Sequence, residues 1–293
     1  MGQVTGELGI PAPATVVGNG SADVTQLLAL MNACGYELTR AAEWRAMASQ
    51  HLFSTEYLTT TGTWTTAART ISSIPTTAAL DTTWQAVGDG IGQNALIVSV
   101  DNANQVTLNQ DITAAGTAAT VYFQKMQYAL PSDYASITPR TQWDKSKHWE
   151  MLGPETPQQW EWLMSGFIST GPRLRWRLYQ TYFQIWPGFS NAEQLGYEYR
   201  SLAWARSASD ALKNSFTLDT DTCIFPDRLM VLATKLKYFE AKGFDTTAMY
   251  RNYSRELDIV IAQDTSAANL SFAPAPSSIL IGYDNIPDSF PAS

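Results

Sequence analysis

The chain has 293 residues, 45% of them apolar, with 10 Trp, 13 Tyr and 11 Phe, and a net charge of −8. That much apolar and aromatic surface can build a real core, which excludes disorder as the default state. The acidic balance, with Arg173-Leu-Arg-Trp-Arg177 as its only dense basic group, argues against sequence-reading contacts to nucleic acid, which need clustered Lys and Arg.

Residues 1–20 are rich in Gly, Pro, Val and Thr and read as an extended N-terminal arm. They hold neither a basic segment nor an apolar run, so no signal peptide is expected. No window approaches the ~20 apolar residues of a membrane span. Ser21 or Asp23 can cap a helix running to about Ser49, with Leu27, Met31, Cys34, Leu38, Ala41 and Trp44 on one stripe at spacings of three and four. Such a helix would be about 40 Å long. Gly35 inside it is a weak point. Residues 52–60 then alternate like a strand.

From 61 to 125 the chain is rich in Thr, Ala, Val and Gly and nearly free of charge. Short alternating runs such as Ala95-Leu-Ile-Val-Ser-Val100 and Ala118-Ala-Thr-Val-Tyr-Phe123 are separated by turns such as Gly88-Asp-Gly90, which predicts an inserted β-sandwich or barrel. Residues 21–60 and 126–263 then make the surrounding core of helices and strands. Within it, Trp149-Glu-Met-Leu-Gly-Pro-Glu-Thr-Pro-Gln-Gln-Trp-Glu-Trp-Leu163 carries three tryptophans in fifteen residues. Thr156 is a good N-cap, Pro157 suits the first helical position and Gln159 can complete a capping box, predicting a short helix over 157–167.

Alternating strands follow over 174–186 and 195–204, then an acidic turn, Thr217-Leu-Asp-Thr-Asp-Thr222. A helix from Pro226 to Gly243 carries Leu229, Leu232, Ala233, Leu236 and Phe239. A second, capped by Asp245, carries Met249, Tyr253, Leu257 and Ile261. Their short linker predicts an antiparallel pair. Residues 264–293 turn to Ala, Ser, Pro and Asn and read as an extended C-terminal tail. The fold expected is α+β: a helical bundle of the long N-terminal helix and the C-terminal pair, a central β-sheet region and the inserted small β-sandwich or barrel.

Motifs of catalysis are missing. GxSxG, GxGxxG and GxxxxGK[ST] do not occur. His51 and His148 have no partner at metal spacing, and Asp219-Thr-Asp221 lacks the Gly and Glu of a calcium loop. Cys34 and Cys223 read as reduced structural thiols. No catalytic, cofactor-binding or metal-ligating residue is expected, and the protein reads as not an enzyme. Charged residues are only 16%, below the roughly 25% usual for soluble domains. A low-charge surface rich in aromatics points to assembly with copies of itself. The interface candidates are Trp44, Trp149, Trp160, Trp162, Trp186, Tyr253, Ile281 and Tyr283.

Taken in order, Asp23-Val-Thr-Gln-Leu-Leu-Ala-Leu-Met-Asn-Ala33, Leu130-Pro-Ser-Asp-Tyr134, Gly153-Pro-Glu-Thr-Pro-Gln-Gln-Trp160, the acidic turn 218–221 and Lys237-Tyr-Phe-Glu-Ala-Lys-Gly243 give the chain a family likeness. It resembles the head-to-tail adaptor (connector) proteins of short-tailed bacteriophages, the tail-tube A or gatekeeper-like group, over nearly its whole length. The resemblance implies a dodecameric ring between the portal protein and the tail nozzle, in contact also with a tail fibre, with double-stranded DNA passing through the lumen without sequence-specific binding. It implies a virion location after synthesis in the bacterial cytoplasm, and no catalytic residues. The alternative is a tail-associated carbohydrate-binding or polysaccharide-degrading component, resting on the Trp and Tyr content and on spare carboxylates such as Glu155 and Glu161.

Overall fold

A computed structural model describes residues 1–165 and 174–265. The N-terminal arm is not extended throughout: Gly2–Leu8 form helix α1. Seven residues with two glycines could not hold a helix alone. Tertiary contact supplies the stability. Val4 is buried against Leu27 and Val231, and Glu7 bridges Arg228 and Lys235 at 3.0 and 2.7 Å.

Helix α2 (Ala22–Ala41) keeps part of the predicted stripe, burying Leu27, Cys34 and Leu38 with Met31 half-buried, but Ala41 is exposed, Trp44 lies beyond the helix, and it stops well short of Ser49. The Trp44 indole N–H donates to the Leu38 carbonyl at 2.6 Å, satisfying a C-terminal group the helix leaves free, and the chain passes into a 3-10 turn at Arg45–Met47. At 20 residues the helix is about 30 Å long. Gly35 is where the Trp204 ring lies flush on it; a Cβ there would come within 2.3 Å of the indole.

Two strands, β1 (Ala48–Ser54) and β2 (Tyr57–Trp64), stand in place of the single one expected over 52–60. Between them the Thr55 N–H donates to the Glu193 carbonyl and the Glu56 N–H to the Tyr128 hydroxyl, which sends the two strands into different sheets. Strand β2 enters an antiparallel sheet with β3 (Thr70–Ile71), β4 (Trp84–Gly88), β5 (Ile91–Asn102), β6 (Gln105–Leu108) and β7 (Gly116–Lys125). The order is β2-β7-β4-β5-β6-β3, and a bridge between Thr63 and Ser72 ties its outermost strands into a nearly closed barrel. Trp64, Ile71, Trp84, Ile97, Val121 and Phe123 fill the interior.

The chain then forms β8 (Gln127–Ala129), β9 (Tyr134–Ile137), β10 (Trp143–Asp144), β11 (Trp149–Glu150), α3 (Pro157–Met164), β12 (Arg175–Tyr179), β13 (Tyr182–Trp186) and β14 (Gln194–Ser201). Helix α3 starts with a complete capping box between Thr156 and Gln159. One sheet runs β1-β14-β10-β11, with β9 also on β14; a second runs β12-β13-β8. An aromatic layer joins them: ring centroids lie 5.2 Å apart for Trp176 and Phe183, 4.9 Å for Phe183 and Tyr197 and 4.6 Å for Phe53 and Tyr128. A third small sheet, β15 (Ala205–Arg206), β16 (Leu212–Lys213) and β17 (Thr222–Cys223), precedes α4 (Asp227–Lys242) and α5 (Thr247–Thr265). Gly243, with φ 74°, ends α4 in the left-handed conformation that glycine adopts without strain.

The expected helical bundle is not the fold. The protein is mostly β, 33% strand against 28% helix, in several antiparallel sheets. The physical reason lies in what the helices cover. The apolar faces of α2, α4 and α5 meet around Trp204, Ala205 and Phe225, which are supplied by strands and loops. Trp44 sits edge-on to Phe225 at 5.1 Å and Trp204 edge-on to Phe216 at 4.7 Å.

Candidate functional site

The aromatic candidates divide sharply. Trp44, Trp160 and Trp186 are 4%, 4% and 2% exposed, so they cannot present an indole to a neighbour. Trp44 closes α2. Trp160 and Trp186 pack with Met126 and Leu163 where the barrel meets the two-sheet region, and the Trp186 indole N–H donates to Asn94 Oδ1 at 3.1 Å. Tyr253 is half-buried against the helical core. Trp149 and Trp162 are about half exposed, at 48% and 47%. Ile281 and Tyr283 lie outside the described residues, as does all of the expected C-terminal tail beyond Thr265.

A surface feature that the sequence reading did not single out is the outer edge of β1. The Thr55–Glu193 bond and the register of β1 on β14 turn the main-chain groups of Ser49, His51 and Phe53 toward β14. Those of Ala48, Gln50, Leu52 and Ser54 therefore point away from it, the Ala48 N–H being taken by the Arg45 carbonyl. All four residues are exposed, and no strand among the described residues pairs along that side. Natural edges are usually blunted by Lys, Pro or a bulge. This one has none of these, and its seven-residue register on β14 is unbroken. Burial holds the His51 imidazole below its ordinary value, so the strand is uncharged at neutral pH. Leu52 is 45% exposed. The last turn of α5 ends beside this strand: Asp264 Oδ2 accepts from the Arg45 N–H at 2.7 Å, three residues before β1 begins.

The acidic turn is a joint. Asp219 accepts from the N–H groups of Val16 and Val17, at 3.1 and 2.8 Å to Oδ1, and so ties down the N-terminal segment. The Asp221 carboxylate is inaccessible and takes the Lys213 ammonium at 2.8 Å and the Thr217 and Leu218 N–H groups. The Lys213 bond comes first among the causes that hold it down at about 2. Both carboxylates are thus occupied by the chain's own donors. A cleft of about 520 Å³ opens beside this turn, lined by Val16, Met31, Phe216, Cys223 and Met230. Burial pushes the Cys223 thiol up to about 12, which removes it as a thiolate nucleophile.

A second cleft, about 510 Å³, lies at the seam between the barrel and α3. There the Arg177 guanidinium stacks 4.4 Å over the Trp160 ring and 4.8 Å from that of Tyr179, while its Nε–H donates to Gln184 at 2.6 Å. Neither histidine lines either cleft. Among the described residues no group of three His, Cys, Asp or Glu side chains is placed to hold a metal ion.

Asn94 is a polar residue that no motif or periodicity singles out. It is 8% exposed, with φ 56°, and its amide donates to the carbonyls of Leu163 and Met164 while its oxygen receives the Trp186 indole. It bolts the barrel to the end of α3. These features define a mostly β protein whose conspicuous segments are joints and which, among the described residues, leaves the seven-residue edge of β1 open. No family model matches the chain, and no curated protein matches it.

Proposed function

We propose that the protein is a ring-forming structural subunit, a head-to-tail adaptor of a short-tailed bacteriophage that joins portal to tail nozzle. The observation that carries the reading is what the resembling segments do. Each of them connects parts of the chain remote in sequence. Asp133 of Leu130-Pro-Ser-Asp-Tyr134 accepts from the Tyr199 and Ser201 hydroxyls. Glu155, buried beside the Thr156 cap, pairs with Arg175. Asp219 holds the N-terminal segment. Lys237 of the α4 segment reaches Glu37 of α2 at 2.9 Å. A segment set spent on joints suits a protein whose task is shape.

Assembly is further supported by the exposed aromatics Trp149, Trp162, Tyr179 and Tyr250 and by the low charge. The subunit's net acidity suits a channel through which DNA slides without adhering. Heterologous contacts that close on themselves would give the ring. Mass photometry and negative-stain imaging of the protein, alone and with portal, test this. Closed annuli are expected. A strictly monomeric particle that never joins a ring under either condition overturns the reading, and retention on a polysaccharide array would favour a glycan-binding tail component instead.

A further inference from the structure

We propose that the outer edge of β1 receives residues 277–283 of a neighbouring copy as an added antiparallel strand. This inference rests on the ring reading and names the contact that would link its subunits. The acceptor comprises four exposed residues on an uncharged, unbulged strand: Ala48 turns out its C=O, its N–H being held by the Arg45 carbonyl, and Gln50, Leu52 and Ser54 each turn out both an N–H and a C=O. Each of the last three offers two hydrogen bonds to an added strand, and this is how edge strands recruit extended peptides.

The donor follows from where the described chain stops. Beyond Thr265 lie 28 residues, and among them Ser277-Ser-Ile-Leu-Ile-Gly-Tyr283 is uncharged, free of proline and rich in β-branched and aromatic residues. Ile279, Ile281 and Tyr283 alternate on one face. Pro276 and Pro287 bracket the segment, and proline cannot continue a paired strand. The edge and the segment match in length, seven residues each.

The chain leaves α5 beside Arg45, at the start of its own β1. Residues 266–276 supply an eleven-residue connection with prolines at 274 and 276. Eleven extended residues span roughly 35 Å, and the whole of β1 is about 24 Å long. That reach covers the chain's own edge, which an intrachain product of the double variants would reveal, as well as the next subunit's, which the ring reading selects. There it would bury the apolar tail and satisfy the open edge in one contact, handed on head-to-tail around the ring.

The test uses the full-length chain. Leu52→Cys protein is mixed with Ile279→Cys, Ile281→Cys or Tyr283→Cys protein and oxidised mildly, then run on a non-reducing gel. The native Cys34 and Cys223 are both held near 12 by burial and contribute little background. A covalent dimer is expected from at least one mixture and from neither partner alone, and the corresponding double variant should give a ladder of multimers. No dimer from any mixture, or only an intrachain product from the double variants, overturns the proposal. Ile281→Pro provides a second measurement, because proline removes the N–H that an added strand would donate there. Loss of closed rings is expected by mass photometry with unchanged thermal unfolding. Rings from Ile281→Pro as abundant as those of the unaltered protein would sink this contact and leave the adaptor reading standing. Failure of the unaltered protein to form any ring, with or without portal, would sink the adaptor reading, while the mixed crosslink still decides whether the strand is exchanged.

Discussion

Gly35 looks like a flaw in α2 until its neighbour is considered. The Trp204 indole occupies the space that any side chain would need. Ala has the better helix propensity by about 1 kcal/mol, but forcing a methyl into a packed ring costs about 1–3 kcal/mol, so the clash wins. Gly35→Ala is therefore expected to destabilise the protein by roughly 1–2 kcal/mol, and Trp204→Phe in the same chain should recover part of that loss in a double-mutant cycle read by urea unfolding. Additive losses would show that the two positions do not meet. A second residue-scale feature is the carboxyl pair at Asp144 and Glu193, which lie within hydrogen-bonding reach of each other. Burial pushes both up. For Glu193 the hydrogen bonds from Lys147 and Asn191 outweigh burial and leave it below its ordinary value, whereas Asp144 stays above. Glu193 Oε2 is buried without a donor, and Asp144 beside it is shifted toward its protonated form. A raised Asp144 costs stability as pH climbs through the ordinary aspartate value of about 4 toward the higher folded one. Asp144→Asn supplies a permanent N–H to Glu193 and keeps an oxygen for the Ser146 and Lys147 amides. It should stabilise the protein at pH 7 by about 1 kcal/mol, with the gain shrinking toward pH 4, in melts across that range. A gain independent of pH would mean that no proton is shared.

At the scale of elements, periodicity and capping chemistry were readable, while closure and edges were not. The Thr156 box and the Leu27, Cys34 and Leu38 stripe are local, so α3 begins and α2 packs as the residues dictate. The end of α2 is set by Trp44 reaching back to Leu38, a contact with no spacing rule behind it. Trp160 and Trp162 are two residues apart, yet one is buried and the other half exposed, because only the fold decides which face of α3 meets the barrel. The open edge of β1 is invisible in its sequence for the same reason: its alternation resembles that of a strand paired on both sides. Helix α1 teaches the converse point, since Gly2–Leu8 has little intrinsic helicity and depends on distant partners. Asp219, more than two hundred residues away, helps to fix the segment that follows α1. Asp219→Ala should free Val16 and Val17 for hydrogen exchange and lower stability by about 1 kcal/mol. Unchanged protection of those two amides would show that the turn does not hold the arm.

For the whole molecule the decisive question is how the nearly closed barrel stays fixed to the rest of the chain. The apolar part of the seam includes Met126, Trp160, Leu163 and Trp186, and its polar part includes Asn94, which serves two carbonyls at the end of α3 and one indole at once. Removing that amide leaves the buried Trp186 indole N–H without its acceptor and takes a donor from the Leu163 and part-buried Met164 carbonyls; an unsatisfied buried group costs about 1–3 kcal/mol unless water enters. Alanine at φ 56° adds backbone strain. Asn94→Ala should cost roughly 3 kcal/mol or more. The loss should be local in character. The barrel has its own interior in Val121 and Phe123, and the aromatic layer of Trp176, Phe183 and Tyr197 does not pass through the seam. Hydrogen exchange is therefore expected to accelerate first at the Trp186 indole and at residues flanking Asn94, with the amides of Val121 and Phe123 protected until global unfolding. A uniform fall in protection over both regions would mean that barrel and body share one cooperative core and that Asn94 is a minor strut within it.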